Sequence, residues 1–207
     1  KSIGSERVML IAPDEIQLTY ADNTTAVPHD VTTRVGGEYA CCAWAGAKAS
    51  MPPQTPMTNR AISGIDQLFH ANEYFNPDQL NTVAEGGVNI LIQSAGALPY
   101  SRHQLNTCMD SIEKRENSIT EAIDYTAIAL RTVLRRYIGR HNITREYLTQ
   151  LRGITETALR DIMEDGVLAN AKLVSLDQDK DQPDTVNITV ELTVLYPCNR
   201  IVITLKI

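Results

Sequence analysis

The sequence is short of three things: positive charge, aromatic rings and patterned cysteine. Its formal net charge is -6, and aromatics make up 5% of its residues. Nucleic-acid binding generally asks for a basic domain with interleaved aromatic side chains, so both deficits argue against it. Four cysteines are present, but Cys41 and Cys42 are adjacent, Cys108 and Cys198 stand alone, and no C-x-x-C occurs. That pattern excludes a disulfide framework or a cysteine zinc site, and we expect reduced thiols. No apolar run approaches the roughly 18 residues a membrane helix needs. Recognisable catalytic motifs are missing as well. There is no H-E-x-x-H, no G-x-S-x-G and no phosphate-binding glycine loop. Gly36-Gly37 and Gly86-Gly87 read instead as helix boundaries. The four histidines, His29, His70, His103 and His141, share no helix face at metal-ligand spacing. We therefore expect no catalytic residue, cofactor or metal. The opening at Lys1 is read as that of a piece of a longer chain.

What the sequence has is a 43% hydrophobic content arranged in two styles. Up to about residue 100, short strands alternate with helices. Residues 7–13 form a continuous apolar run predicted to be a buried strand, and residues 15–35 read as polar and irregular. A helix rich in alanine spans 38–50 and is stopped by Pro52-Pro53. Asn76-Pro77-Asp78-Gln79 is a helix start, with Asn76 as N-cap, Pro77 at N1 and Gln79 able to reach back. A buried strand is expected over 88–93.

From about residue 101 the pattern becomes helix–helix–sheet. Ser118-Ile119-Thr120-Glu121 reads as a capping box opening a helix over 118–138, with Ile123, Leu130 and Leu134 on its apolar face. A second helix, 144–165, carries Leu148, Leu151, Thr155, Ala158, Leu159 and Ile162 on one face. Residues 185–195 alternate strictly, as in a half-buried strand. Residues 199–207 alternate again, with Ile201, Ile203, Leu205 and Ile207 on one side. Arg131, Arg135, Arg136, Arg140, His141 and Arg145 cluster around a helix end. They are a solvated terminus or an electrostatic docking patch for an acidic protein; nucleic acid is a weaker alternative, since only Tyr137 and Tyr147 interleave with them.

Several short stretches, in this order and spacing, resemble the tail sheath proteins of contractile phages and related injection systems. They include Tyr100-Ser101-Arg102-His103-Gln104-Leu105, Asp124-Tyr125-Thr126, Tyr137-Ile138-Gly139-Arg140-His141-Asn142-Ile143-Thr144 and Asp184-Thr185-Val186-Asn187. Segments 40–46, 52–59, 81–90, 113–119 and 197–207 add to the likeness, which covers about residues 36–207. The resemblance is to the C-terminal portion of such proteins. It implies an α/β plus α+β chain: 1–100 as part of a subtilisin-like domain without protease chemistry, and 101–207 as a C-terminal domain with two long helices and a small β-sheet. It implies a structural subunit, not an enzyme, that polymerises as hexameric rings around a tail tube and contracts to drive the tube through the target envelope. The implied partners are further copies of itself, the tube protein, and baseplate and tail terminator proteins. No nucleic acid and no membrane insertion are implied. The implied location is the virion tail sheath, assembled in the host bacterial cytoplasm.

Within that frame, the terminal strand Asn199, Arg200, Ile201, Val202, Ile203, Thr204, Leu205, Lys206 and Ile207 is expected to exchange between subunits. Arg135, Arg136 and Arg140 are expected to face the tube. Two other readings are a subtilisin-like hydrolase, which would need converging Asp, His and Ser, and a β-augmentation module that binds a peptide without polymerising.

Overall fold

The computed structural model describes residues 3–24, 27–68 and 76–206. His70 and Ile207 therefore lie outside the described residues. By its internal contacts the chain divides into two units. One joins Lys1–Thr120 to Pro197–Ile207, and the other is Glu121–Tyr196.

The first unit holds two small sheets. Strand β1 (Leu10–Ala12) runs parallel to β5 (Val88–Ile92), and β5 pairs antiparallel with β6 (Tyr100–Ser101). In the second sheet, β2 (Glu15–Asp22) lies between β3 (His29–Gly36) and β4 (Gln67–Leu68). This hairpin corrects the expectation of an irregular segment at 15–35. Alternation through Ile16, Leu18, Val31 and Val35 lets β2 and β3 pair over their whole length, from Glu15↔Gly36 to Asp22↔His29. The run at 7–13 is also less buried than expected. Only Leu10–Ala12 is strand, and Val8 and Leu10 are exposed.

Helix α1 (Gly37–Ala49) buries Ala40, Trp44 and Lys48, a stripe at four-residue spacing. Ala40 and Trp44 join Ile16, Met57, Ile62 and Leu91 in the apolar core. Gly37 is required at its position. Its backbone N donates to Asp14 O at 2.6 Å, and a Cβ there would stand 2.8 Å from Pro13 O. Helix α2 (Pro77–Glu85) starts as its sequence dictates, with Asn76 and Gln79 capping each other reciprocally at 2.9 Å. Gly87 follows at φ 79°, where a Cβ would meet Thr107 Cα at 3.0 Å, so only glycine lets the backbones approach.

A short helix α3 (Ile112–Arg115) precedes α4 (Asn117–Leu134). Ser118 is not the cap of α4. It lies inside the first turn, and its hydroxyl accepts a 2.7 Å bond from the Gln104 side chain. A 3-10 turn at Arg135–Tyr137 follows α4.

The second unit packs α4 residues and α5 (Arg145–Glu164) against a two-stranded ribbon of β7 (Asn170–Gln178) and β8 (Val186–Thr193). Thr144 caps α5 by accepting from Tyr147 N. The face of α5 read from the sequence is the buried one: Leu151, Thr155, Ala158, Leu159 and Ile162. Leu130 and Leu134 of α4 are half-buried against the core of Leu151, Leu159, Leu173 and Leu176. Ile123, by contrast, is exposed, and the buried positions beside it are Ala122 and Thr126. The strand β8 alternates as its sequence does, with Val186, Ile188, Val190 and Leu192 turned to the core.

Candidate functional site

Residues 197–206 leave the ribbon and form no strand. Their first part is tied down within the first unit. Asn199 Nδ2 donates to Glu116 Oε1 at 2.8 Å, and Thr58 Oγ1 donates to Asn199 Oδ1 at 3.1 Å. Beyond that anchor the tail is bare. Ile201 is 79% exposed, Ile203 78% and Leu205 87%, while Arg200, Val202, Thr204 and Lys206 are exposed too. Four large aliphatic side chains in six residues thus stand in water, and their main-chain groups pair with no strand among the described residues. An exposed apolar segment of this kind is what sequences avoid when nothing covers it.

The anchor is set in a buried polar network. Glu116 is only 1% exposed, although a carboxylate is normally excluded from such a place. Burial raises its carboxyl above the usual range, and hydrogen bonds from Gln104 and Asn199 and the charge of Arg115 oppose the rise. Gln104 is fully buried. Its Oε1 accepts from Met57 N at 3.0 Å, and its Nε2 donates to Ser118 and, at 3.5 Å, to Glu116 Oε2. Asn106 donates to Thr120 Oγ1 and to Lys114 O, each at 3.2 Å. The sequence placed none of these residues in a buried network, because a buried Gln, Glu or Asn looks like a surface residue when read in line.

The two-stranded ribbon has open edges. Strands β7 and β8 pair with each other and with no third strand among the described residues. A bulge between Leu173 and Ser175 interrupts the register and leaves Val174 exposed.

The arginine cluster sits in the second unit. Arg135 and Arg136 project from the 3-10 turn and, like Arg140, are exposed. Arg131 and Arg135 line an open groove whose floor includes Leu134, Tyr147, Leu151 and Ile188, while Arg136 and Arg140 do not line it. The Tyr147 hydroxyl donates to Tyr137 O at 2.8 Å, and its ring lies 5.5 Å from that of His141.

The Ser101 hydroxyl is directed to Asn89 Oδ1 and to the His103 backbone carbonyl, and it accepts from Trp44 Nε1. It does not meet the His103 ring. Among the described residues no cluster of His, Cys, Asp and Glu is placed to hold a metal, and no helix is long and apolar enough to cross a membrane.

No family model matches the sequence. The tail sheath protein of Mycobacterium phage Bxz1 is 24% identical over 205 residues, which is 98% of this chain and 34% of that protein. The fold is similar to that of a chain in the sheath complex of an extracellular contractile injection system in its contracted state, with a TM-score of 0.74 at 10% identity over 98% of this chain and 56% of the other. A chain of the anti-feeding prophage baseplate aligns with a TM-score of 0.73 at 11% identity, over 98% of this chain and 55% of that one. The sheath tail protein of Desulfitobacterium hafniense aligns with a TM-score of 0.64 at 10% identity, over 93% of this chain and 46% of that one. The chain thus spans about a third of the curated relative's length and roughly half of each of these structures. The resemblance read from short sequence stretches agrees with an aligned relative that is a tail sheath protein, and the chain is a mixed α/β protein whose fold is similar to those of contractile sheath proteins.

Proposed function

We propose that this chain is the C-terminal portion of a sheath subunit, polymerising as hexameric rings around a tail tube and contracting to drive the tube through a target envelope. In this reading residues 1–100 belong to a subtilisin-like domain without catalysis and 101–207 to the C-terminal sheath domain. The partners are neighbouring copies, the tube, the baseplate and the tail terminator, and the location is a virion tail assembled in the host cytoplasm. The observation that carries the reading is the tail: an apolar alternating segment, anchored at Asn199 and uncovered beyond it. Residues 200–207 serve as an added strand for a neighbouring subunit, where the main chain supplies affinity and the Ile201/Ile203/Leu205 face fixes register. Subunits tied in this way stay linked while their compact parts move as rigid bodies.

Arg135, Arg136 and Arg140 face the tube in this proposal, through contacts individually worth about 0–1 kcal/mol. Weak, salt-sensitive contacts suit a sheath that must release its tube. An assembled sheath with these guanidinium groups on its outer surface would refute this part.

The test is a cut after Arg200 in the full-length protein, which spares the Asn199 anchor. The shortened protein should melt as the intact one does and form no tubes in electron micrographs. Normal tubes from it would sink strand exchange. A melt lowered by several degrees would show that the tail serves its own core.

A further inference from the structure

A cavity of about 420 Å³ in the first unit is lined in part by Glu116 and Asn199, the pair that anchors the tail. Its other walls include Asn81, Glu85, Arg102, His103 and Arg115. Three nitrogens of this group are buried and have no hydrogen-bond partner among the described residues: Arg102 Nη1, His103 Nδ1 and Arg115 Nε. Buried polar atoms without partners are few in a native protein, and each asks for an explanation. Three of them on residues that line one cavity is a pattern rather than scatter.

The neighbouring groups do not supply what is missing. Arg102 uses its other terminal nitrogen on Asn81 Oδ1. Arg115 Nε stands 3.9 Å from Glu116 Oε1, too far for a hydrogen bond. That carboxylate is already bonded by Asn199 and Gln104. Glu85 lines the cavity but is exposed. Guanidinium nitrogens only donate, so the missing partner must be an acceptor. The local field has the matching sign. Burial holds the His103 imidazole below its ordinary titration range, and the positive charges of Arg102 and Arg115 push it further down. Two arginines and a histidine offering donors into a partly desolvated cavity are the groups that bind a carboxylate or phosphate through charge-assisted bonds.

We propose that this cavity is an oxyanion site, in which Arg102, Arg115 and His103, with its proton on Nδ1, donate to one compact carboxylate or phosphate group. The oxyanion is either a free anion or an acidic side chain of a second copy of this chain. The site stands on its own geometry and does not depend on the sheath reading.

The probe is inorganic phosphate, titrated calorimetrically into the unassembled full-length protein at constant ionic strength. Saturable binding is expected to weaken about tenfold or more in Arg102→Gln and in Arg115→Gln, as the loss of a charge-assisted bond requires. The exposed Arg160→Gln, outside the cavity, leaves it unchanged. That result assigns a free anion. If phosphate gives no heat, yet both variants melt normally and fail to sediment as assemblies where the wild type does, the anion is a neighbour's carboxylate. Where a glutamine variant does not fold, Arg102→Lys and Arg115→Lys are read in the same way, because lysine keeps the charge and loses the planar fork. Where phosphate gives heat, it must also raise the melting temperature of the wild type. Phosphate heat without that rise, or undiminished in both variants, overturns the proposal. So does the absence of heat together with normal assembly of both variants, which leaves only trapped water in the cavity.

Discussion

Replacing Asn199 by alanine isolates the anchor of the tail. Two bonds disappear: Asn199 Nδ2 to Glu116 Oε1 at 2.8 Å, and Thr58 Oγ1 to Asn199 Oδ1 at 3.1 Å. Thr58 is half-buried and water can replace its partner, so the second loss is small. The first leaves a nearly inaccessible carboxylate short of a donor. A hydrogen bond to an ionised group is worth about 1.5–3 kcal/mol and a neutral one about 0.5–1.5. Asn199 itself is half-exposed, so we expect about 1.5 kcal/mol while Glu116 is ionised, and about half of that once it is protonated.

The sign with pH follows from burial. In the folded protein the Glu116 carboxyl titrates above its unfolded value. The folded state therefore holds an extra proton between the two values, and stability falls as pH rises through that window. Losing the Asn199 donor pushes the folded value higher still and steepens the fall, whereas Glu116→Gln removes it. Trp44, the sole tryptophan of this chain, is buried in the first unit, so its fluorescence during denaturant unfolding reports that unit. Midpoints measured between about pH 4 and pH 8 carry the comparison. A cost in Asn199→Ala that is the same at both ends of the range, or absent at both, refutes the anchor.

Two further substitutions test the cores. Lys48→Met removes a buried ammonium that donates to Pro53 O and Thr55 O, each at 2.9 Å, and should destabilise the first unit by about 3 kcal/mol, read from the same fluorescence. An unchanged midpoint would mean that methionine packing replaces those bonds. Leu159→Ala opens a cavity at a side chain that is 2% exposed and should cost the second unit about 2–5 kcal/mol. Amide exchange in β7 and β8 measures it, because both strands pack on that leucine's cluster, and exchange rates equal to wild type would place Leu159 outside the cooperative core.

Elements whose chemistry is local were legible in the sequence. The reciprocal cap of Asn76 and Gln79, the buried face of α5 and the alternation of β8 need only near neighbours to be read. The hairpin of β2 and β3 was hidden because Asp22, Asn23 and Pro28 are turn formers, and their weight was spread over strands they only connect. Ser118 has the spacing of a cap, but its hydroxyl is claimed by Gln104, which is remote in sequence. For the same reason the candidate site was half visible. The apolar row of the tail is plain in the sequence, while the buried carboxylate that holds Asn199, and the arginines and histidine around the neighbouring cavity, come together only through the fold.

The two bonds of Asn199 reach back 83 and 141 residues along the chain. The second unit, Glu121–Tyr196, is contiguous in sequence, so all of its residues are made before Asn199. The first unit, though most of it emerges earlier, keeps one seam open until Asn199 has left the ribosome. Until then Glu116 lacks its Asn199 donor, and the apolar tail has not yet been made. In this order of synthesis the exposed apolar side chains of residues 201–205 appear only after all of the second unit, and the first unit up to Arg200, has been made.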